Sequence, residues 1–231
     1  PGNMGKAKSK VKFTKILSKS RAINQLSAAR FFLFGSRDVW FVVGVPVFLY
    51  GTLHWTYTEV GTFLALWVIG YGVVQAAVPG FIALSEDGRT SVIWMARRWA
   101  FGLGLIPIVI FVVMALDDHL AMPWLSPGWT ITIGLGAFGI AFAINSSVHS
   151  YLILAFTDSD KVALNVGFYY MANAGGRLVG TLFSGIMYQS ASLAGCLLTA
   201  SAMIGVSWLI TLVLPVAERG TGVAVPSNEA R

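Results

Sequence analysis

NVGFYYMANAGGRLVGTLFSG, residues Asn165 to Gly185, decides how the chain is read. It lies within an apolar stretch from Val162 to Tyr188 that is about long enough to cross a bilayer, yet it carries Arg177 and no lysine or carboxylate. An arginine near the centre of a span costs about 2.5 to 3.5 kcal/mol on insertion scales, so the guanidinium needs a partner. At 100° per residue, Tyr170, Asn173, Thr181 and Ser184 fall within about 40° of Arg177, which therefore heads a polar stripe. Ala172, Gly176, Gly180 and Ser184 form a small-residue ladder beside that stripe, suited to close approach of a second helix.

The rest of the chain supplies the membrane. Of its 231 residues, 56% are hydrophobic and only 11% charged, whereas soluble domains carry roughly a quarter charged residues. An all-α polytopic bundle is the expected fold, with six spans: Val39 to Trp55 (reaching back toward Phe31), Val60 to Leu84, Val92 to Leu116, Trp129 to Phe156, Val162 to Tyr188 and Ala191 to Val216. Trp40, Trp55, Trp94, Trp99, Trp124 and Trp129 fall near span ends, as in an interfacial aromatic belt.

Charge gives the expected orientation. Nine of the sixteen Lys and Arg lie in residues 1–37, and Arg89, Arg97, Arg98, Lys161, Arg219 and Arg231 fall in alternate loops or the tail. The intervening loops have none, so the positive-inside rule places both termini in the cytoplasm. Residues 1–37 read as a basic cytoplasmic leader or linker, 38–216 as the six-span bundle and 217–231 as a cytoplasmic tail. Within the leader, Phe13, Ile16, Leu17, Ile23 and Leu26 recur at helical spacing among Lys12, Lys15, Lys19 and Arg21. That pattern fits a basic amphipathic helix on the inner leaflet or a solvated linker, and both readings stay open. The bilayer, not nucleic acid, is the partner this charge distribution favours. With no methionine at position 1 and no signal-peptide core in PGNMGKAKSKVK, the chain reads as part of a longer protein.

Enzymatic alternatives lack their parts. An intramembrane serine hydrolase needs a serine in a tight Gly-rich turn and a distant base; FSG at Phe183 to Gly185 is preceded by Leu182, and Ser147 and His149 are too close in sequence to form a dyad across two helices. His54, His119 and His149 are scattered, Asp117, Asp118 and His119 have no helical ligand spacing, and no phosphate loop follows Gly175, so neither metal nor cofactor is expected. The single Cys196 forms no disulfide framework. No enzymatic machinery is therefore expected.

Transport fits the span interiors. Gly44 and Pro46 interrupt the first span, and Gly102, Gly104 and Pro107 the third, positions that mark bends or cavity walls in membrane helices. Trp67, Tyr71 and Gln75 share one face of the second span, and Asn145 with His149 one face of the fourth, with Ser146 and Ser150 alongside. Asp38 and Glu59 are placed at membrane edges, so no carboxylate is expected inside a span. The partner of Arg177 is then backbone carbonyl, a carboxylate on a segment outside this chain, or an anionic substrate gripped bidentately.

Six spans with a basic leader and the basic loop SEDGRTS, which keeps Asp87, Gly88 and Arg89, resemble the C-terminal half of a major facilitator superfamily transporter. SRDVWFVVGVPVFLYG (Ser36 to Gly51), VGTFLALWVIGYGVVQAAVP (Val60 to Pro79) and NSSVHSYLILAFTDSDKVALNVGFYYMANAGGRLVGTLFSG (Asn145 to Gly185) are similar to the ArsJ-type organoarsenical efflux permeases. The resemblance implies export of 1-arseno-3-phosphoglycerate across a bacterial inner membrane, downstream of glyceraldehyde-3-phosphate dehydrogenase, as part of arsenate resistance. It also implies an amino-terminal six-helix half as partner and no cofactor. Another organic anion or drug is the alternative cargo. A pentavalent arseno-ester is a hard polyanion that calls for Arg177, Asn173, Tyr170, Asn145 and His149, whereas soft trivalent arsenic would call for thiolates. If a proton is coupled, His149 is the titratable residue in a span core.

Overall fold

The computed structural model describes residues 20–82, 88–120, 126–157 and 162–215, and among these every regular element is an α-helix. In chain order they are α1 (Arg21–Phe41), α2 (Gly44–Gly51), α3 (Tyr57–Ile82), α4 (Gly88–Leu120), α5 (Pro127–Ala155) and α6 (Val162–Leu212). Five segments are long and apolar enough to cross a membrane: Arg21–Gly51, Tyr57–Gly80, Ser91–Leu116, Pro127–Ala155 and Val162–Leu212. The all-α expectation holds, and these helices point to a membrane-embedded protein.

Five segments stand where six were expected because α6 holds the last two. At Ala191 (φ −148°, ψ 24°) and Ser192 (φ 54°, ψ −154°) the backbone leaves the helix, Ser192 in a region otherwise kept for glycine. The arms on either side fold back on one another. Cys196 Sγ lies 3.6 Å from Ser184 O, twelve residues earlier, a separation that a straight helix would stretch to about 18 Å. Gly35 of α1 meets both arms: a β-carbon there would lie 3.0 Å from Gly176 O and against Met203 Cε.

The first span starts earlier than its hydropathy implies. α1 begins at Arg21 and not near Phe31 or Val39, and it draws residues 21–37 of the expected leader into the bundle. Ile23 and Leu26 are fully buried, packed with Val148, Leu152 and Tyr169, so they belong to the core and not to a leaflet-bound helix. Trp40, expected in an interfacial belt, is also fully buried, its ring 5.0 Å from Phe138. Trp94 and Trp129 are exposed, as a belt requires. The remainder of the leader, Glu86 and Asp87 of the basic loop, Trp124, Lys161 and the tail lie outside the described residues.

Two packing devices fix the frame. Gly176 and Gly180 let α6 approach α1 so closely that a β-carbon on Gly176 would strike Phe31 O, and one on Gly180 would strike Gly35 O. The expected ladder is thus the α1–α6 contact. Ser184, its last rung, does more: fully buried, its hydroxyl accepts from Val43 N at 3.2 Å and Gly44 N at 3.1 Å. Those are the amides freed where α1 gives way to α2 ahead of Pro46. Ser184→Ala strips both of their acceptor and is expected to lower stability by about 1 to 3 kcal/mol, read as a fall in the melting temperature of the purified chain. The bend expected in the third span is absent as a break, because α4 runs as one helix through Gly102, Gly104 and Pro107.

Arg97 of α4 donates to Thr211 O at 3.1 Å and Leu212 O at 2.9 Å, closing the C-terminus of α6. Ile23 and Leu214 belong to one buried cluster. Both ends of the described chain therefore lie at the same end of the bundle.

Candidate functional site

The site grows from α1. Arg30, Phe34 and Arg37 stand at i, i+4 and i+7 and share a face, with Asp38 beside them. Arg30 is buried to 3% exposure, and its Nη1 donates to Ser146 O at 2.9 Å and Ser146 Oγ at 3.1 Å on α5. Its guanidinium lies over two rings, 4.0 Å from the centre of Phe34 and 4.6 Å from that of Tyr169. Arg37 adds a second charge above the same Phe34 ring at 5.2 Å and above Phe142 at 5.4 Å.

Asp38 answers Arg177. The expectation that no carboxylate of this chain reaches that arginine is overturned: Arg177 Nε donates to Asp38 Oδ2 at 3.0 Å, and Arg37 Nε donates to Oδ1 at 2.6 Å. Asp38, read from the sequence as a membrane-edge residue, is a buried one, its side chain 1% exposed within the first apolar segment. Glu59 does stay at a helix start, where it accepts from Thr56 N at 2.7 Å. Arg177, unlike its buried partner, has a side chain 56% exposed.

An aromatic wall lines this charge. Trp67 and Tyr71 stack at 5.6 Å, Tyr71 reaches Phe142 at 5.9 Å, and Phe142 meets Phe34 edge-on at 5.0 Å. Trp67 is pinned by its indole N–H to Leu135 O at 2.7 Å, and Gly139 leaves room for the ring. Gln75, expected on the same face, meets α5 through its main chain, accepting from Ser147 Oγ at 3.5 Å.

The remaining sequence candidates divide. Asn145 and His149 are wholly buried on α5, flanking the serines that hold Arg30, and none of their side-chain polar atoms has a partner among the described residues. Tyr170 is 57% exposed beside Tyr169, while Asn173 is half-buried with its Oδ1 unpartnered. Ala172 lines an apolar groove between α1 and α6 with Phe31 and Phe168. Sequence reading missed Arg30, Arg37, Asp38 and Tyr169. The signal was present in RFFLFGSRD, residues 30–38, where two arginines seven apart share a helix face and Asp38 follows the second.

Chemically, two guanidiniums, Arg37 and Arg177, engage the one carboxylate of Asp38, and Arg30 adds a third on the same face of α1, held instead by Ser146 and two rings. Planar guanidiniums are chemically suited to gripping an anion bidentately. Among the described residues, no group of three or more His, Cys, Asp or Glu is placed to hold a metal ion. Compared with known proteins, the chain matches no family model and no curated protein.

Proposed function

We propose that the chain is a six-span half of a secondary transporter of the major facilitator type that exports an organic arsenical anion, 1-arseno-3-phosphoglycerate in particular. The observation that carries this reading is the excess of guanidinium over carboxylate at Arg30, Arg37, Arg177 and Asp38 inside apolar helices. Buried charge in a membrane helix is rare without a transport or binding task. A hard polyanion with phosphate and arsenate groups is matched by planar, bidentate donors.

Topology supports the same reading. If the two arms of α6 cross separately, the chain makes six crossings, and an even number agrees with Ile23 and Leu214 lying at one end. Both ends then lie on one side, which the positive-inside rule makes the cytoplasm. α3 is scarcely covered by the rest of the chain: Leu66, Ile69 and Val73 are 63%, 63% and 66% exposed. An amino-terminal half docked near α3 and α6 would enclose the aromatic wall and the Arg177 stripe between two bundles, where alternating access requires the cargo to sit.

The test uses the complete transporter in arsenate-sensitive cells that contain glyceraldehyde-3-phosphate dehydrogenase. Arg177→Ala is expected to reduce arsenate tolerance to that of cells without the transporter, and Arg177→Lys to restore only part of it. Undiminished tolerance for Arg177→Ala at normal expression would remove Arg177 from cargo contact.

A further inference from the structure

Arg177 and Asp38 are unequal partners. Asp38 is 1% exposed, on α1 against the close glycine contact with α6, and is held from its other side by Arg37 at 2.6 Å. Arg177 is 56% exposed, and among the described residues only its Nε is engaged. A long, half-exposed arginine can swing; a carboxylate buried and bonded through both oxygens cannot. If Arg177 turns to another anion, Asp38 keeps Arg37 and is not left as an unpaired buried charge. Arg177 would leave a carboxylate only for a ligand that binds it better.

We infer that Asp38 is a built-in counter-ion with which an incoming anion competes for Arg177, so that the site admits dianionic phosphate- or arsenate-type groups and rejects simple carboxylates. This rests on the anion-site reading above and adds a residue that sets its selectivity. A monocarboxylate offers Arg177 nothing that Asp38 does not already supply. A dianionic phosphate-type group offers more charge and a third oxygen, and Arg177 can grip it through two parallel N–H bonds. When the cargo leaves, Asp38 takes Arg177 back. Asn173, one turn away on the same helix face with an unpartnered Oδ1, lies where it can reach a hydroxyl of the same ligand.

The experiment is titration of the complete transporter in lipid nanodiscs with 3-phosphoglycerate, inorganic phosphate and lactate, followed by calorimetry. For the unmodified transporter, 3-phosphoglycerate and phosphate are expected to bind and lactate not to. Asp38→Asn is expected to tighten 3-phosphoglycerate at least tenfold and to make lactate binding measurable. If Asp38→Asn does not fold, Arg37→Gln combined with Asp38→Asn restores the local charge balance, and it is expected to bind 3-phosphoglycerate at least tenfold tighter than Arg37→Gln alone. A purely structural Asp38 lowers the melting temperature without tightening any ligand. Unchanged or weaker binding of 3-phosphoglycerate in folded variants, with normal binding by the unmodified transporter, overturns the competition while leaving the anion site standing. Binding of neither phosphate nor 3-phosphoglycerate by any folded form overturns the anion site itself, and the competition with it.

Discussion

Gly180→Leu is expected to leave almost no correctly folded chain, and Gly180→Ala or Gly176→Ala to lower stability by about 1 to 3 kcal/mol each. The cause is what a β-carbon would meet. At Gly180 it falls on Gly35 O and 2.8 Å from Gly35 Cα; at Gly176 it falls on Phe31 O and 2.9 Å from Phe31 Cα. These are main-chain atoms, which cannot rotate away as a side-chain tip can, so α1 and α6 must separate. Between helices in lipid, close packing and interhelical hydrogen bonds hold the pair, because the tails are as apolar as the side chains. Separation would also draw Ser184 from Val43 and Gly44, and Arg177 from Asp38. Gly185, on the same helix, has nothing within 4 Å of its β-position and serves as the tolerant control. Monodisperse yield and thermal melting in detergent are the readouts. Gly180→Leu with the melting temperature of the unmodified chain would show that the close contact is not formed.

Arg30→Met is expected to keep the fold and lose transport. Removing a buried charge removes its desolvation cost, and because Arg30 is held by Ser146 and two rings and by no carboxylate among the described residues, its replacement by an apolar group of similar length leaves no buried counter-charge unpaired. Methionine can lie between Phe34 and Tyr169 as the guanidinium does. Transport should respond in the opposite sense. A unit charge acting through about 8 Å at an effective dielectric constant of 20 is worth about 2 kcal/mol per ligand charge, and a dianion would then lose affinity by at least about a hundredfold. Arg30→Lys keeps the charge, but a compact ammonium cannot bond Ser146 O and also lie flat over both rings. Partial transport is expected of it. Melting temperature and transport rate measured on the same preparations separate the roles: loss of both in Arg30→Met would make Arg30 a structural residue.

Parts of this architecture are legible along the chain and parts are not, for identifiable reasons. Local signals were enough for the helices themselves. The break in α6 at Ala191 and Ser192 lies beside the boundary read at Gln189 and Ser190, and the Gly44 and Pro46 interruption marks the α1–α2 junction. The glycine ladder was legible because small residues at i, i+4 and i+8 have few other uses in a span. Burial of charge was not legible. Arg30, Arg37 and Asp38 depress local hydropathy, so the first span was read from Val39 and reaching back only toward Phe31, not to Arg21. What makes them tolerable, Ser146 and Tyr169 for Arg30 and Arg177 for Asp38, lies more than a hundred residues away. The same non-local pairing hid the answer to Arg177. Its anion was sought outside the chain when it stood on α1.

Vectorial export of an arseno-ester through the arginine site, as proposed, is open to direct measurement. Everted membrane vesicles carrying the complete transporter, supplied outside with glyceraldehyde 3-phosphate, arsenate, NAD and glyceraldehyde-3-phosphate dehydrogenase, test it by the arsenic they accumulate. Accumulation is predicted for the unmodified transporter, dependent on the dehydrogenase, and is predicted to vanish in Arg177→Ala at equal expression. No dehydrogenase-dependent accumulation by the unmodified transporter, or equal accumulation by Arg177→Ala, would contradict it.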